Sequence, residues 1–214
     1  MVPSFGAGHP RFPLSPAIPS PLDVDSLKIE ASALSIGPAA IDLSLAANAV
    51  SLRQAKDSQG NVLLLLHNAA DGHIEISTST SDLESLIAEV ATSEAAKHGV
   101  TIDSVQLILR SKSSRSLAAE VRLRAKKLFL TASMKITGQL DLDEELNARV
   151  SGLDCTGDGA IASVACGVLK PHLQKIDGRE FPLMSLPLGE VRLRDVQLAV
   201  GDKLSVTAEF GSAA

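Results

Sequence analysis

Residues 118–136 read AAEVRLRAKKLFLTASMKI. Ala119, Val121, Leu123 and Ala125 alternate with Glu120, Arg122, Arg124 and Lys126. A period of two places one set on each face of a β-strand. The phase slips once at Lys126-Lys127, and Leu128, Leu130, Ala132, Met134 and Ile136 then resume on a single face. Such a slip marks a bulge or a tight turn. Two successive strands with so short a link pair antiparallel, because a parallel pair needs a crossover of about a dozen residues.

The same alternation recurs on both sides. Leu27, Ile29, Ala31 and Ala33 oppose Lys28, Glu30 and Ser32. Ile41, Leu43 and Leu45 follow the turn signal Gly37-Pro38. Asp57-Ser58-Gln59-Gly60-Asn61 reads as a hairpin tip before the apolar run Val62–Leu66. Asp71-Gly72 reads as a second tip, before Ile74 and Ile76. Further strands are expected at Val105, Leu107 and Leu109, and at Leu140, Leu142, Leu146, Ala148 and Val150, with a break near Asp143-Glu144-Glu145. Val191–Val200 and Leu204–Phe210 close the chain around the tip Gly201-Asp202, with a bulge between Leu193 and Val196.

Two segments carry helical periodicity instead. In the first, Ser81 and Glu84 form a capping box, and Leu83, Leu86, Ile87 and Val90 form the apolar stripe that Gly99 ends. The second runs from about Asp158 to Ile176, with Ile161, Val164, Ala165, Val168, Leu169, Leu173 and Ile176 on one stripe. Pro171 inside it is expected to kink or divide the helix. The sum is an α+β fold: a mostly antiparallel β protein with two helices, which excludes a doubly wound parallel sheet. Six of the ten prolines lie in residues 1–21, with Pro10, Pro13, Pro16 and Pro19 spaced by three, as on one side of a polyproline II arm. Residues 1–26 are therefore assigned to an extended arm and residues 27–214 to a single domain.

Composition narrows the function. The 214 residues carry 20 basic and 25 acidic side chains, 45% hydrophobic residues, five Phe, no Trp and no Tyr. A nucleic-acid binder is usually basic and supplied with stacking aromatics, so that class is excluded. No segment reaches the roughly 20 apolar residues of a membrane-spanning helix. The N-terminus lacks the basic and continuous apolar regions of a secretory signal, and a cytoplasmic or peripheral-membrane location is expected. A core of Leu, Ile, Val and Ala is either simply filled or encloses a cavity for an acyl chain. Cys155 and Cys166, eleven positions apart, either form one local disulfide or remain two thiols.

Catalytic signals are absent from the sequence. His9, His67, His73, His98 and His172 show no metal-ligand spacing, and no nucleophile elbow or phosphate loop occurs. No metal, cofactor or catalytic residue is assigned. Gly152–Gly159 reads as a flexible entry to the second helix, and Asp141, Asp143, Glu144 and Glu145 as a solvated turn. The stripe Arg110, Lys112, Arg115, Arg122, Arg124, Lys126 and Lys127 is either the wet side of a half-exposed sheet or a contact for anionic headgroups.

From Ser81 to Gly211 the chain resembles the LmeA-like phospholipid-binding family, related to the tubular lipid-binding (TULIP) domains. The likeness rests on three features. They are the helix opening Ser81-Asp82-Leu83 and ending in Gly99-Val100, the charged-apolar meander Ala118–Val150 before a glycine-bearing helix, and the closing run Leu186-Pro187-Leu188-Gly189-Glu190-Val191-Arg192-Leu193-Arg194-Asp195-Val196. The resemblance implies a highly curved, mostly antiparallel sheet wrapped around two helices, with an aliphatic cavity for acyl chains, and no enzyme activity. Leu83, Leu86, Ile87, Val90, Val164, Val168 and Leu173 are the candidate lining, and Arg122, Arg124, Lys126 and Lys127 the candidate headgroup or membrane contacts. The alternative is a structural or interaction module with a filled core, using sheet edges or the proline arm.

Overall fold

The computed structural model describes residues 21–97, 99–127, 130–185 and 190–212. The proline arm, His98 and the Leu186–Gly189 part of the closing run lie outside them. Ten strands and two helices follow in the order β1(Leu22–Ile36), β2(Ala39–Lys56), β3(Val62–Ser79), α1(Thr80–Ala96), β4(Thr101–Ser113), β5(Ser116–Lys127), β6(Leu130–Leu142), β7(Asn147–Asp158), α2(Ala160–Ile176), β8(Glu180–Pro182), β9(Val191–Val200) and β10(Lys203–Ser212). They build two antiparallel five-stranded sheets, β1-β2-β3-β10-β9 and β4-β5-β6-β7-β8. The α+β, mostly antiparallel reading therefore holds. β1 begins at Leu22, so the last five residues assigned to the arm belong to the sheet.

Several turns form for the reasons the sequence supplies. The Asp57 carboxylate accepts from the Gln59 and Asn61 amides at 2.8 and 2.9 Å, which closes the β2–β3 tip. Asp143 does the same for Asn147 between β6 and β7. β5 and β6 stay in unbroken register to Lys127↔Leu130, so the phase slip at Lys126-Lys127 is no bulge within the pair. The link at 128–129 lies outside the described residues. The bulge in β9 falls at Arg194, which is skipped between the pairs Asp195↔Glu209 and Leu193↔Phe210.

Four local expectations are corrected. Asp71-Gly72 is no hairpin tip: β3 runs unbroken through it, paired with Asn48 and Ala47 of β2. The glycine serves packing, because a Cβ there would stand 2.2 Å from Phe210 Cζ. The α1 cap is Ser79 rather than Ser81; its hydroxyl accepts from the Asp82 amide at 3.0 Å. Glu84, released from a capping role, accepts from the Leu107 amide of β4 at 2.7 Å. Residues 152–158 belong to β7 instead of a flexible entry. The sharp passage into α2 uses Gly157, whose Cβ would meet Ala162 Cβ at 2.6 Å, and Gly159 at φ +85°. Finally, Pro171 does not divide α2, which runs as one helix from Ala160 to Ile176. Of the two expected effects this removes division and leaves the kink as an expectation.

The two helices flank the second sheet, α1 along β4 and α2 along β7. Cys155 of β7 and Cys166 of α2 form a disulfide with a Cα–Cα separation of 5.3 Å, the first of the two alternatives left open by their spacing. One core cluster lies on a face of the first sheet: Ala47, Val50, Leu52, Ala69, Val191 and Phe210. A second joins the sheets, with Leu117, Leu142 and Leu146 packed against Val196 and Leu198 of β9. At its rim the Leu198 amide donates to Ser114 O at 2.6 Å, and Arg115 bridges Asp195 at 2.6 Å. The β4–β5 turn thus docks on β9, and this contact sets the sheets against each other.

Candidate functional site

Register turns the strand alternation into rows. Across the first sheet, Ile29, Leu45, Ile74, Ala208 and Val196 form one row, and Ala31, Leu43, Ile76, Val206 and Leu198 the next. Leu34, Ile41, Thr78, Leu204 and Val200 follow on the same face. Every second residue faces this side, so five amphipathic strands sum to one apolar surface. Its burial is graded. Val196 and Leu198 are buried under the second sheet, whereas Ile76, Ile29 and Ile36 are exposed at 39%, 43% and 55%. The face is closed at β9 and open at β1. Leu86 of α1 lies over the Gly37 turn at one end of it, 3.5 Å from where a Cβ would stand.

The second sheet carries the cationic stripe on its outer side. Gln106, Arg122, Lys135 and Thr156 line up across β4, β5, β6 and β7, and Ser104, Arg124, Ser133 and Asp158 form the adjoining row. These eight residues surround a shallow cleft of about 510 Å³. Arg122 Nε donates to Glu120 at 2.7 Å. Arg122 and Lys135 are cross-strand neighbours of like charge, which an anion between them would relieve. Lys126 continues the exposed stripe toward the β5 end; the side chain of Lys127 is outside the described residues.

The helical residues named from the sequence are placed differently. Leu83, Leu86 and Ile87 of α1 and Leu173 of α2 are half-buried. Val90 and Val164 are exposed at 63% and 68%, so neither stands in an enclosed wall here. The side chain of Val168 is outside the described residues. On the strand face Ile29 and Ile76 are exposed, while Leu43, Leu45 and Ile74 between them are half-buried, Leu45 and Ile74 against the first core cluster. Their alternation was visible, but only register shows that they share one face.

Two carboxylates of the acidic run hold local structure, Asp141 near the end of β6 and Asp143 in the turn to β7. Asp141 accepts from Ser116 Oγ at 2.6 Å and from Gln139, and these hydrogen bonds, Ser116 first, hold its carboxyl below the ordinary range. The Asn147 side chain and then its amide lower Asp143 likewise. Among the described residues, no three His, Cys, Asp or Glu side chains gather in a metal-holding group, and no helix is long and apolar enough to cross a membrane. No family model, curated protein or solved structure matches the chain.

Proposed function

We propose that the protein binds a lipid or another hydrophobic ligand without catalysing a reaction, and that it works beside an anionic membrane surface. The observation that carries this reading is the apolar face of the first sheet, buried at Val196 and Leu198 and open at Ile29, Ile36 and Ile76. A contiguous apolar surface left open to water marks a binding site. Each methylene contributes about 0.8 kcal/mol where it is fully buried and less where one side stays in water, so an acyl chain binds there without a specific polar contact. The resemblance to the LmeA-like family agrees with this use. The two antiparallel sheets and their flanking helices support only its coarser part, and a curved, tubular closing around the ligand belongs to the proposal. The Arg122, Arg124, Lys126 and Lys135 stripe suits anionic headgroups, each charge adding about 1 kcal/mol at an acidic surface. The Cys155–Cys166 disulfide favours an oxidising compartment over the cytoplasm.

Native mass spectrometry with lipid extraction tests the reading. The purified protein, or the protein incubated with phosphatidylglycerol vesicles, should carry a lipid mass. Ile76→Glu should abolish loading, because it places a carboxylate in the middle of the apolar face. Val164→Glu, on the exposed side of α2, should leave loading unchanged. An empty spectrum before and after vesicle incubation would overturn the proposal.

A further inference from the structure

In the first sheet β1 is a terminal strand: it pairs with β2 on one side, and among the described residues no strand pairs with its other side. An open strand edge presents a row of backbone donors and acceptors to any matching chain. Proteins usually blunt such an edge with charges or irregular pairing. β1 carries Asp23, Asp25, Lys28 and Glu30. It skips a pair at Asp25, opposite Ala49 (φ +46°), and shifts register between Ala31 and Leu34, where Ala33 adopts φ +54°. Ser26–Ala31 is therefore its regular stretch. Its side chains are open to a neighbour, with Lys28 and Glu30 exposed at 69% and 64% and Ile29 at 43%.

The charge pattern of this edge selects its partner. In an antiparallel pair of two copies, related by a two-fold axis perpendicular to the sheet, opposite residues share a face. Centring the axis on Ile29 sets Lys28 against Glu30 of the second copy and Glu30 against Lys28, both on the polar face. The same register sets Ile29 against Ile29, and Leu27 against Ala31, on the apolar face. Centring on Lys28 opposes two lysines, and centring on Glu30 opposes two glutamates. Placing the axis between two of these residues opposes a charged side chain to an apolar one. Of these registers, one alone matches charge to charge and apolar to apolar.

We infer that β1 is a self-complementary edge, through which two copies of this chain join into a continuous ten-stranded antiparallel sheet centred on Ile29. The lysine–glutamate pair within each β1, 2.7 Å apart, becomes a four-residue charge ring across the axis. The dimer extends the apolar face of each copy across the axis at its open side, so Ile29 and Leu27 lose water that they meet in the single chain.

Charge reversal tests this on the full chain. Sedimentation velocity over a concentration series should show a monomer–dimer equilibrium. Lys28→Glu and Glu30→Lys, taken singly, each create like-charge pairs at two symmetric positions and should weaken the dimer about tenfold or more. The double variant K28E/E30K restores opposite charges and should restore the dimer. Both side chains are well exposed, and circular dichroism checks that the variants stay folded. A monomer at every concentration would overturn the inference, including the case in which the N-terminal arm or another protein's strand takes the edge. So would a dimer indifferent to the single reversals, or one that the double reversal fails to rescue.

Discussion

The ring of Phe210 occupies the space that a side chain at Gly72 would need: a Cβ built on Gly72 comes 2.2 Å from Cζ and 2.3 Å from Cε2. The two residues are direct partners across β3 and β10, and Phe210 is buried in the first core cluster. Gly72→Ala forces the ring out of place and should cost about 1–3 kcal/mol, read as a lowered urea midpoint. Combining it with Phe210→Leu should cost less than the sum of the two single changes, since the smaller side chain vacates the site. Strict additivity would show that the contact is not the cause.

The disulfide ties α2 to β7 across a short loop. Replacing Cys155 and Cys166 by Ala should cost about 3 kcal/mol, mainly by freeing the unfolded chain. A reducing agent should lower the urea midpoint of the wild-type protein by a similar amount and leave the double variant unchanged. An unaltered wild-type midpoint under reduction would show that the bond contributes nothing.

Acid sensitivity follows from hydrogen-bonded carboxylates. The Ser79 hydroxyl and then the Ala40 amide hold Asp82 below its ordinary value of 3.8. Gln197 and then Arg115 do the same for Asp195. A folded-state pKa below the unfolded one contributes stability that is fully present above the unfolded value and lost as pH falls through the folded one. The urea midpoint should therefore be level down to about pH 5 and fall below about pH 4. Ser79→Ala, which also removes the α1 cap, should cost about 1 kcal/mol at neutral pH and shrink the acid-dependent loss. A midpoint flat to strong acid would contradict this account.

Membrane contact has its own signature. Arg124→Glu in the middle of the cationic row should weaken binding to phosphatidylglycerol vesicles, read by cosedimentation, about thirtyfold while leaving acyl-chain uptake intact, about 2 kcal/mol being lost on reversing one charge at the surface. Salt should weaken the wild-type contact over the range in which the Debye length shortens from about 30 to about 8 Å. Binding that ignores both the reversal and salt would exclude the stripe from the membrane contact.

Much of the local structure was legible because it is decided within a few residues. The alternation of Val121 and Leu123 with Arg122 and Arg124 requires a strand with one wet face. The Asp57–Asn61 and Asp143–Asn147 turns are closed by side chains that the sequence places at the right spacing. The bulge between Leu193 and Val196 shows as a change of phase, because a single extra residue moves every later side chain to the other face.

Other features depended on partners distant in sequence. Gly72 looks like a turn until Phe210, far along the chain, is seen packed upon it. Glu84 looks like a capping residue until the Leu107 amide of β4, the terminal strand of the second sheet among the described residues, donates to its carboxylate. The apolar stripes of the helices were visible, but which of their residues stay in water was not. Exposure of Val90 and Val164 follows from where α1 and α2 pack, and alternation alone does not say which strands lie side by side. Local periodicity and residue chemistry were enough for most strands, for the Asp57–Asn61 and Gly201-Asp202 tips and for the lack of a catalytic motif, but not for Asp71-Gly72, residues 152–158 or β8. The tertiary structure decided the joining of Cys155 to Cys166, the docking of Arg115 on Asp195 and the row from Ile29 to Val196, because register and packing are set by contacts between segments far apart in the chain.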